Sequence, residues 1–199
     1  MILVIDSATA ACSAALIEDG GVIDERHEVV GRGHAERLLP MISDLIGDRR
    51  PDAILVDCGP GSFTGVRVGL AAAHGLAIGW GVPVAGYSSM AAVAAAAGAA
   101  HVTVALQGGH GELFVQSFGG DPLAPLDALR SLAPDAAAAA ASAPLVAGSG
   151  AEAVVLLREH GEWRDALPRA SDARLLPRQL RNLAPRPIYG RAPDAKPQP

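Results

Sequence analysis

The sequence reads Cys58-Gly59-Pro60-Gly61-Ser62-Phe63-Thr64-Gly65-Val66-Arg67-Val68-Gly69 at the point that decides its fold. The apolar run 53–56 before this stretch is short enough for a buried strand, and residues 66–80 after it have the length and composition of a helix. Glycine allows a sharp turn between the two, and Ser62 or Thr64 can cap the helix N-terminus. A strand, a glycine-rich turn and a helix in this order predict an α/β crossover.

Two familiar enzyme motifs do not fit this turn. A Walker-type phosphate loop needs Gly-Lys-Ser/Thr, and the only lysine of the chain is Lys196. A nucleophile elbow needs glycine two residues before and after its serine, but Pro60 and Thr64 stand on either side of Ser62. The free N–H groups at the start of a helix can bind an anion, whereas a tight corner without a ligand explains the glycines equally well.

The composition allows one large domain or two small lobes. The chain has 199 residues, of which 50% are hydrophobic and only 4% aromatic, so its cores must close through small side chains. Cys12 and Cys58 form no metal or redox motif, and no signal peptide is recognisable, so we expect reduced thiols in a cytoplasmic protein. The apolar stretch 66–86 contains Arg67 and Pro83, which favours a buried helix over a membrane span.

Charge is distributed unevenly along the chain. The formal net charge is −5, which does not favour a stand-alone nucleic-acid-binding protein. Residues 158–196 nevertheless contain nine basic and five acidic side chains. A solvated surface explains such scattered arginines, and direct binding of nucleic acid by a basic end is the alternative.

The order of the predicted elements indicates two lobes, residues 1–100 and a smaller one at 101–199. In the first lobe we predict strands at 1–5, 12–17, 22–30, 53–56 and 82–86, and helices at 34–47, 66–80 and 90–97. In the second we predict strands at 102–106, 113–118 and 145–147, an alanine-rich helix capped by Asp135, helices at 151–160 and 171–183, and an extended proline-rich tail, 185–199. Pro40 should kink the 34–47 helix without dividing it.

A carboxylate ends the first predicted strand. Asp6 could orient a metal-bound or phosphate ligand, or it could hydrogen-bond the N–H groups of its own turn. Together with the glycine-rich turn, it suggests a vestigial nucleotide or anion site that would comprise Asp6, Ser7, Gly61, Ser62 and Thr64.

The helix that follows the glycine-rich turn carries small residues at close spacing, among them Gly65, Gly69, Gly75 and Gly79. Glycine inside a helix costs about 1 kcal/mol relative to alanine, so several glycines in one helix need a compensating reason. The close approach of another helix would supply that reason. The neighbour would be the 34–47 helix, a helix of another subunit, or both.

The sequence shows no catalytic or metal-binding constellation. No two histidines have the i, i+4 spacing of a helical metal site, and no Ser/His/Asp set is apparent. The six histidines are His27, His34, His74, His101, His110 and His160. We therefore expect neither a metal nor another cofactor.

Taken together, these stretches resemble the TsaB (YeaZ) family. The resemblance is carried by five stretches: Ile2-Leu3-Val4-Ile5-Asp6-Ser7-Ala8-Thr9, Cys12-Ser13-Ala14-Ala15-Leu16, His34-Ala35-Glu36-Arg37-Leu38-Leu39-Pro40-Met41-Ile42, Gly59-Pro60-Gly61-Ser62-Phe63-Thr64-Gly65-Val66-Arg67-Val68-Gly69, and Pro187-Ile188-Tyr189-Gly190-Arg191. The hairpin at 107–114 keeps only Gly111-Glu112 of the family's usual pattern.

This resemblance implies an α/β fold of the actin-like, Hsp70-like type (ASKHA, ribonuclease H-like), with mixed sheets in two lobes and the second lobe reduced. It implies a bacterial role in forming N6-threonylcarbamoyladenosine (t6A) in tRNA. In this family the catalytic subunit is a related protein, TsaD, and an ATPase, TsaE, joins the complex. The chain would then be a non-catalytic subunit that binds TsaD, forms a homodimer in isolation, and meets tRNA only through the complex.

The family's partner-binding helix pair maps onto residues 34–47 and 65–80. The expected interface residues are His34, Arg37, Leu38, Met41, Ile42, Leu45, Val66, Gly69, Leu70 and Ala73. On this hypothesis, Leu45→Glu or Gly69→Arg should abolish the complex and leave the fold intact.

An enzyme is the alternative hypothesis. A nucleotide-binding ATPase or phosphotransfer relative of the same fold would hold its nucleotide between the lobes, near Asp6, Gly61, Ser62 and residues 148–150. The absence of a phosphate-binding lysine disfavours this reading. Calorimetry with ATP and magnesium would distinguish the two hypotheses.

Overall fold

A computed structural model describes residues 1–190, and these form two mixed β-sheets with helices on both faces of each. Residues 191–199, which include Arg191 of the last motif and most of the predicted extended tail, lie outside the described residues.

The first sheet has five strands in the order β3-β2-β1-β4-β5. They are β1 (Ile2–Asp6), β2 (Ala11–Glu18), β3 (Gly21–Val29), β4 (Ala53–Asp57) and β5 (Val84–Tyr87). β2 is antiparallel to both β1 and β3, whereas β4 pairs in parallel with β1 and with β5. The parallel pairs follow from the two crossover helices, α1 (His34–Ile46) and α2 (Phe63–Trp80).

The strands of the first sheet are apolar on both faces. Leu3, Ile5 and Leu16 point to one face and form a core with α1 and α2. Val4 and Ile17 point to the opposite face, where they pack with α3 (Ser89–Ala97). Because side chains alternate along a strand, burial on both faces requires the nearly continuous apolar runs that the sequence shows.

The second sheet has β6 (His101–Gln107) and β7 (Leu113–Gly119) at its centre. The remaining strands are β8 (Ala124–Pro125), β9 (Arg130–Leu132), β10 (Leu145–Ala147) and β11 (Glu162–Arg164). The helices α4 (Pro134–Ala140) and α5 (Ala151–Arg158) cover one face, and α3 packs against the other. α3 thus lies between the two sheets, and its alanines allow sheets to approach it from both sides.

The C-terminal part of the described chain returns to the first sheet. Two short 3-10 helices, Ala170–Leu175 and Arg178–Arg181, occupy the region where a helix interrupted by Pro177 was predicted at 171–183; the interruption at Pro177 is confirmed, and both pieces are 3-10 helices. Arg169 donates to Glu25 on β3 at 2.6 Å, and Leu183 exchanges backbone hydrogen bonds with Gly86 on β5. The division into lobes at residue 100 stays a prediction.

Most elements agree with the sequence-based expectations. α1 is one helix despite Pro40, and Ser62 caps α2. The prediction that Asp135 caps the alanine-rich helix is wrong, since Ala133 is the N-cap and Asp135 lies in the first turn. Pro134 takes the first helical position, where a missing N–H group breaks no helical hydrogen bond, so the helix begins two residues earlier than predicted.

Candidate functional site

The glycine-rich turn packs directly on the turn after β1. The Ser62 N–H donates to the carbonyl of Ala8 at 2.6 Å, and the Ser62 hydroxyl accepts from the Gly65 N–H at 3.2 Å. A Cβ at Gly61 would collide with the Ala8 carbonyl, and one at Gly65 would collide with the Ser7 carbonyl. The glycines are therefore required by a close backbone approach between two turns of the same chain.

The residues of the predicted anion site are divided by this packing. Gly61 and Ser62 line an open cavity, and Thr64 is exposed. Asp6 and Ser7 are buried beneath the turn, and the Ser7 hydroxyl donates to the Gly65 carbonyl at 2.9 Å. As the chain is folded, Asp6 and Ser7 support the turn and do not face the cavity.

The cavity lies between the two sheets and has a volume of about 890 Å³. Its walls come from the turns after β1, β4, β6 and β10 and from residues 187–190. Thr9, Arg67, Gln107, His110 and Ser149 supply polar groups, and Phe63, Phe114 and Tyr189 supply aromatic rings.

Arg67 connects α2 to the C-terminal segment. Its guanidinium carbon lies 3.3 Å from the centroid of the Phe63 ring, and its Nη2 donates to the Tyr189 hydroxyl at 2.7 Å. Sequence analysis missed Arg67 and Tyr189 as cavity residues because they are 122 positions apart. The only sequence signal was that both lie in stretches that carry the family resemblance.

Two carboxyl groups lie side by side under the turn. β1 and β4 are paired with Ile5 opposite Val56, so Asp6 and Asp57 follow at neighbouring positions. Tyr87 donates to Asp6 Oδ2 at 2.9 Å, and Ser89 donates to Asp57 Oδ2 at 2.6 Å. Sequence analysis missed Asp57, although, like Asp6, it directly follows a buried apolar run.

Burial controls the protonation of this pair. It raises the pKa of Asp6 well above its usual value, and the negative charge of Asp57 raises it further. Burial also raises the pKa of Asp57, to about 6, although the hydrogen bonds from Ser89 and the Gly59 N–H oppose the increase. Asp6 is therefore the better proton acceptor of the two, and Asp57 the better carboxylate.

The helix pair α1–α2 is where the partner interface was predicted. Within the chain, eight of its ten expected residues are buried: His34, Leu38, Ile42, Leu45, Val66, Gly69, Leu70 and Ala73. Met41 is half-buried and Arg37 is exposed, where Arg37 forms an ion pair with Glu28 at 2.5 Å. The apolar spacing that suggested an interface is the face that packs on the first sheet.

This packing corrects the effect expected of two substitutions. Leu45 is 0% exposed, and a Cβ at Gly69 would lie 2.6 Å from the Ser7 hydroxyl. A glutamate or an arginine at these positions would therefore damage the fold itself. Leu45→Glu and Gly69→Arg cannot separate partner binding from folding.

A different set of side chains faces outward from the helix pair. On α2 these residues follow helical spacing at 63, 67, 71, 74 and 78, and on α1 Leu39 is 51% exposed. Ile78 is 84% exposed, and a Cβ added at Gly75 or Gly79 would meet no atom within 4 Å. The outer face of the pair, which we call the outer helix face (Leu39, Phe63, Ala71, Gly75, Ile78 and Gly79), is mostly apolar, with Arg67 and His74 interspersed along α2.

None of the helices within residues 1–190 combines the length and hydrophobicity that crossing a membrane requires. Within the same residues, no three His, Cys, Asp or Glu side chains are grouped as a metal ion would need.

Comparison with known proteins agrees with the sequence resemblance. Residues 5–141 match the family model for TsaD, tRNA N6-adenosine threonylcarbamoyltransferase. The chain is 41% identical over 122 residues to the tRNA threonylcarbamoyladenosine biosynthesis protein TsaB of Escherichia coli, a match that covers 57% of this chain and 52% of that protein. The chain thus spans about half the length of the curated relatives it matches.

Solved structures extend the likeness to nearly the whole chain. YeaZ from Pseudomonas aeruginosa superimposes with a TM-score of 0.80 at 28% identity, covering 94% of this chain and 98% of that one. The ethanolamine utilization protein EutJ from Carboxydothermus hydrogenoformans shares the fold alone, with a TM-score of 0.52 at 12% identity over 88% of this chain and 89% of that one. The predicted actin-like fold class is confirmed. The chain belongs to the TsaB (YeaZ) family, within the group of proteins that the TsaD family model describes.

Proposed function

We propose that this chain is a non-catalytic, cytoplasmic subunit that binds a TsaD-like catalytic paralogue through its outer helix face, in the complex that forms t6A in tRNA. A TsaE-like ATPase joins the complex, and tRNA meets the chain only through it. The observation that carries the proposal is the outer helix face of α1 and α2, in a chain whose relatives are named for t6A biosynthesis.

The exposure of large apolar side chains supports a protein partner. Ile78 and Phe63 are 84% and 69% exposed at opposite ends of α2, and Leu39 is exposed on α1. Burying such a side chain contributes about 1.5–3 kcal/mol, so three of them provide much of what a specific interface needs. An apolar helix face of this kind is typical of a surface that another helix covers.

The exposed glycines support the close approach of a partner backbone. Gly75 and Gly79 are one turn apart on α2, and neither packs against another element within residues 1–190. Each costs about 1 kcal/mol of helix stability relative to alanine. Within residues 1–190 nothing compensates for this cost, and a partner helix that packs across the glycines would.

The family model supports a TsaD-like protein as the partner. The family model matched by this chain describes TsaD, so a TsaD-like protein is a structural paralogue of the chain. Two paralogues of one fold can associate through equivalent helix pairs, much as two copies of one chain associate in a symmetric dimer. The same face would then form the homodimer when the TsaD-like protein is absent.

The test is binding of the purified chain to the TsaD-like protein of the same organism, measured by size-exclusion chromatography and titration calorimetry. Ile78→Glu should weaken the complex by at least tenfold, because it places a charge within a mostly apolar interface. Its fold should be unchanged, since the side chain is exposed.

Leu156→Glu is the matched control, because Leu156 is an apolar residue on α5 that is 66% exposed and lies on the second sheet. This variant should bind like the wild type. Equal affinity of the Ile78→Glu variant and the wild type would refute the outer helix face as the interface, and no binding by the wild type would refute the proposed function.

A further inference from the structure

The buried pair of Asp6 and Asp57 has more negative charge than its surroundings can stabilise. Asp6 is 0% exposed and Asp57 is 2% exposed. Their donors include the Tyr87 and Ser89 hydroxyls and the Gly59 N–H, which donates to Asp57 Oδ1 at 2.8 Å. No ion pair to either carboxyl occurs among residues 1–190. Two buried carboxylates without a cation are strongly unfavourable, so one of them must be neutralised.

The hydrogen bonds favour Asp6 as the neutral member of the pair. Three of the four carboxyl oxygens accept a hydrogen bond, and the fourth, Asp6 Oδ1, is buried and accepts none from residues 1–190, although the Asp57 carboxyl lies beside it. Burying an ionised carboxylate oxygen without a hydrogen-bond donor costs far more free energy than burying a protonated one. Asp57 receives donors on both oxygens and is the better anion.

We propose that Asp6 and Asp57 hold one shared proton in the folded protein, carried on Asp6 Oδ1, and that this proton holds the turns after β1 and β4 together. The proposal is independent of the proposed function. The bound proton would stabilise the start of α2.

The position of the pair explains why its protonation affects more than its own neighbourhood. Asp57 holds the Gly59 N–H in the glycine-rich turn and the Ser89 hydroxyl at the start of α3. Asp6 precedes Ser7 and Ala8, whose carbonyls lie against the same turn and the first turn of α2. Loss of the proton would place two like charges at the point where these four segments meet.

The other titratable groups around the pair are Tyr87 on β5, Cys12 on β2, Cys58 after β4 and Asp172 in the C-terminal 3-10 helix. Burial raises the pKa of both thiols to about 11, and it raises the pKa of Tyr87 well above its usual value. Burial raises the pKa of Asp172 as well. Neither thiol nor the phenol ionises near neutral pH, so the proton of the pair can be measured separately from them.

The sign of the pH dependence follows from proton uptake. In the unfolded chain both carboxyls ionise near their usual pKa of about 3.9, whereas the folded pair keeps a proton to higher pH. The folded state therefore binds more protons than the unfolded state above about pH 4. Stability falls as the pH rises, and one extra proton lowers the folding equilibrium constant tenfold per pH unit.

The experiment compares the wild type with Asp6→Asn in urea unfolding between about pH 6 and pH 8. Asparagine keeps the shape, can accept from Tyr87 and can donate to Asp57 without a titrating proton. The wild-type folding constant should fall with rising pH relative to this variant, by up to about tenfold per pH unit until the folded pair has released its proton. Asp44→Asn, at an exposed carboxyl on α1, is the control and should retain the wild-type slope.

A second measurement does not depend on the variant folding well. Infrared spectra of the native protein at neutral pH should show the carbonyl stretch of a protonated carboxylic acid. Tyr87→Phe removes a donor that lowers the pKa of Asp6, so the band should persist to higher pH than in the wild type. Absence of the band, or equal slopes for the wild type and Asp6→Asn, would overturn the proposal. If the wild-type folding constant depended on the concentration of magnesium or sodium and not on pH, the proposal would also be overturned. A cation would then neutralise the pair.

Discussion

The inner and outer sides of α2 use the same residue type for opposite purposes. On the inner side, Gly65 and Gly69 lie where a side chain would strike Ser7, so the fold of the chain requires them. On the outer side, Gly75 and Gly79 face open space, and nothing among residues 1–190 requires them. The comparison shows that glycine spacing along a helix identifies close packing only when the neighbour of each glycine is known.

The largest effect should distinguish the inner and outer leucines of α1. Leu45 is 0% exposed in the core beneath the helix pair, whereas Leu39 is 51% exposed. Leu45→Glu should lower the free energy of unfolding by roughly 4 kcal/mol or more, because it buries a charge without a partner. Leu39→Glu should change it by less than about 0.5 kcal/mol. Urea unfolding of both variants tests the comparison, and similar losses would mean that the two faces have been wrongly distinguished.

An intermediate effect is expected at the inner glycines. Gly65→Ala places a methyl group against the Ser7 carbonyl and disturbs the hydrogen bond from the Ser7 hydroxyl to the Gly65 carbonyl. The free energy of unfolding should fall by about 2–3 kcal/mol, because neither backbone segment can move without breaking the turn. Urea unfolding measures the loss. An unchanged or higher free energy of unfolding would show that the turn after β1 can move to accommodate the added methyl group.

Much of the first sheet could be predicted from the sequence because its signals are local. The apolar run that ends at Ile5 and the glycine-rich turn at 59–61 specify their own strand and corner. The packing of α1 was harder to predict. The helical spacing of Leu38, Ile42 and Leu45 identifies an apolar face, but it does not show whether that face meets its own sheet or a partner.

The carboxyl pair and the cavity could not be predicted from local sequence signals. Asp57 and Asp6 come together only because β4 pairs in parallel with β1, and Tyr189 reaches Arg67 only because residues 169–188 return to the first sheet. These contacts depend on topology and not on local pattern. The short strands β8, β9 and β11 were missed for a related reason, since two or three residues carry no periodicity that could be recognised.

The smallest effect is the most informative about the outer side. Gly75→Ala adds a methyl group in open space, so it should raise the free energy of unfolding of the isolated chain by about 0.5–1 kcal/mol through helix propensity alone. If a partner helix packs across this glycine, the same methyl group should weaken binding to the TsaD-like protein, because it separates the two backbones. Urea unfolding and titration calorimetry on one variant measure both effects. A gain in stability with unchanged affinity would show that Gly75 lies outside the interface, and the case for a partner on this face would then depend on Ile78 and Leu39.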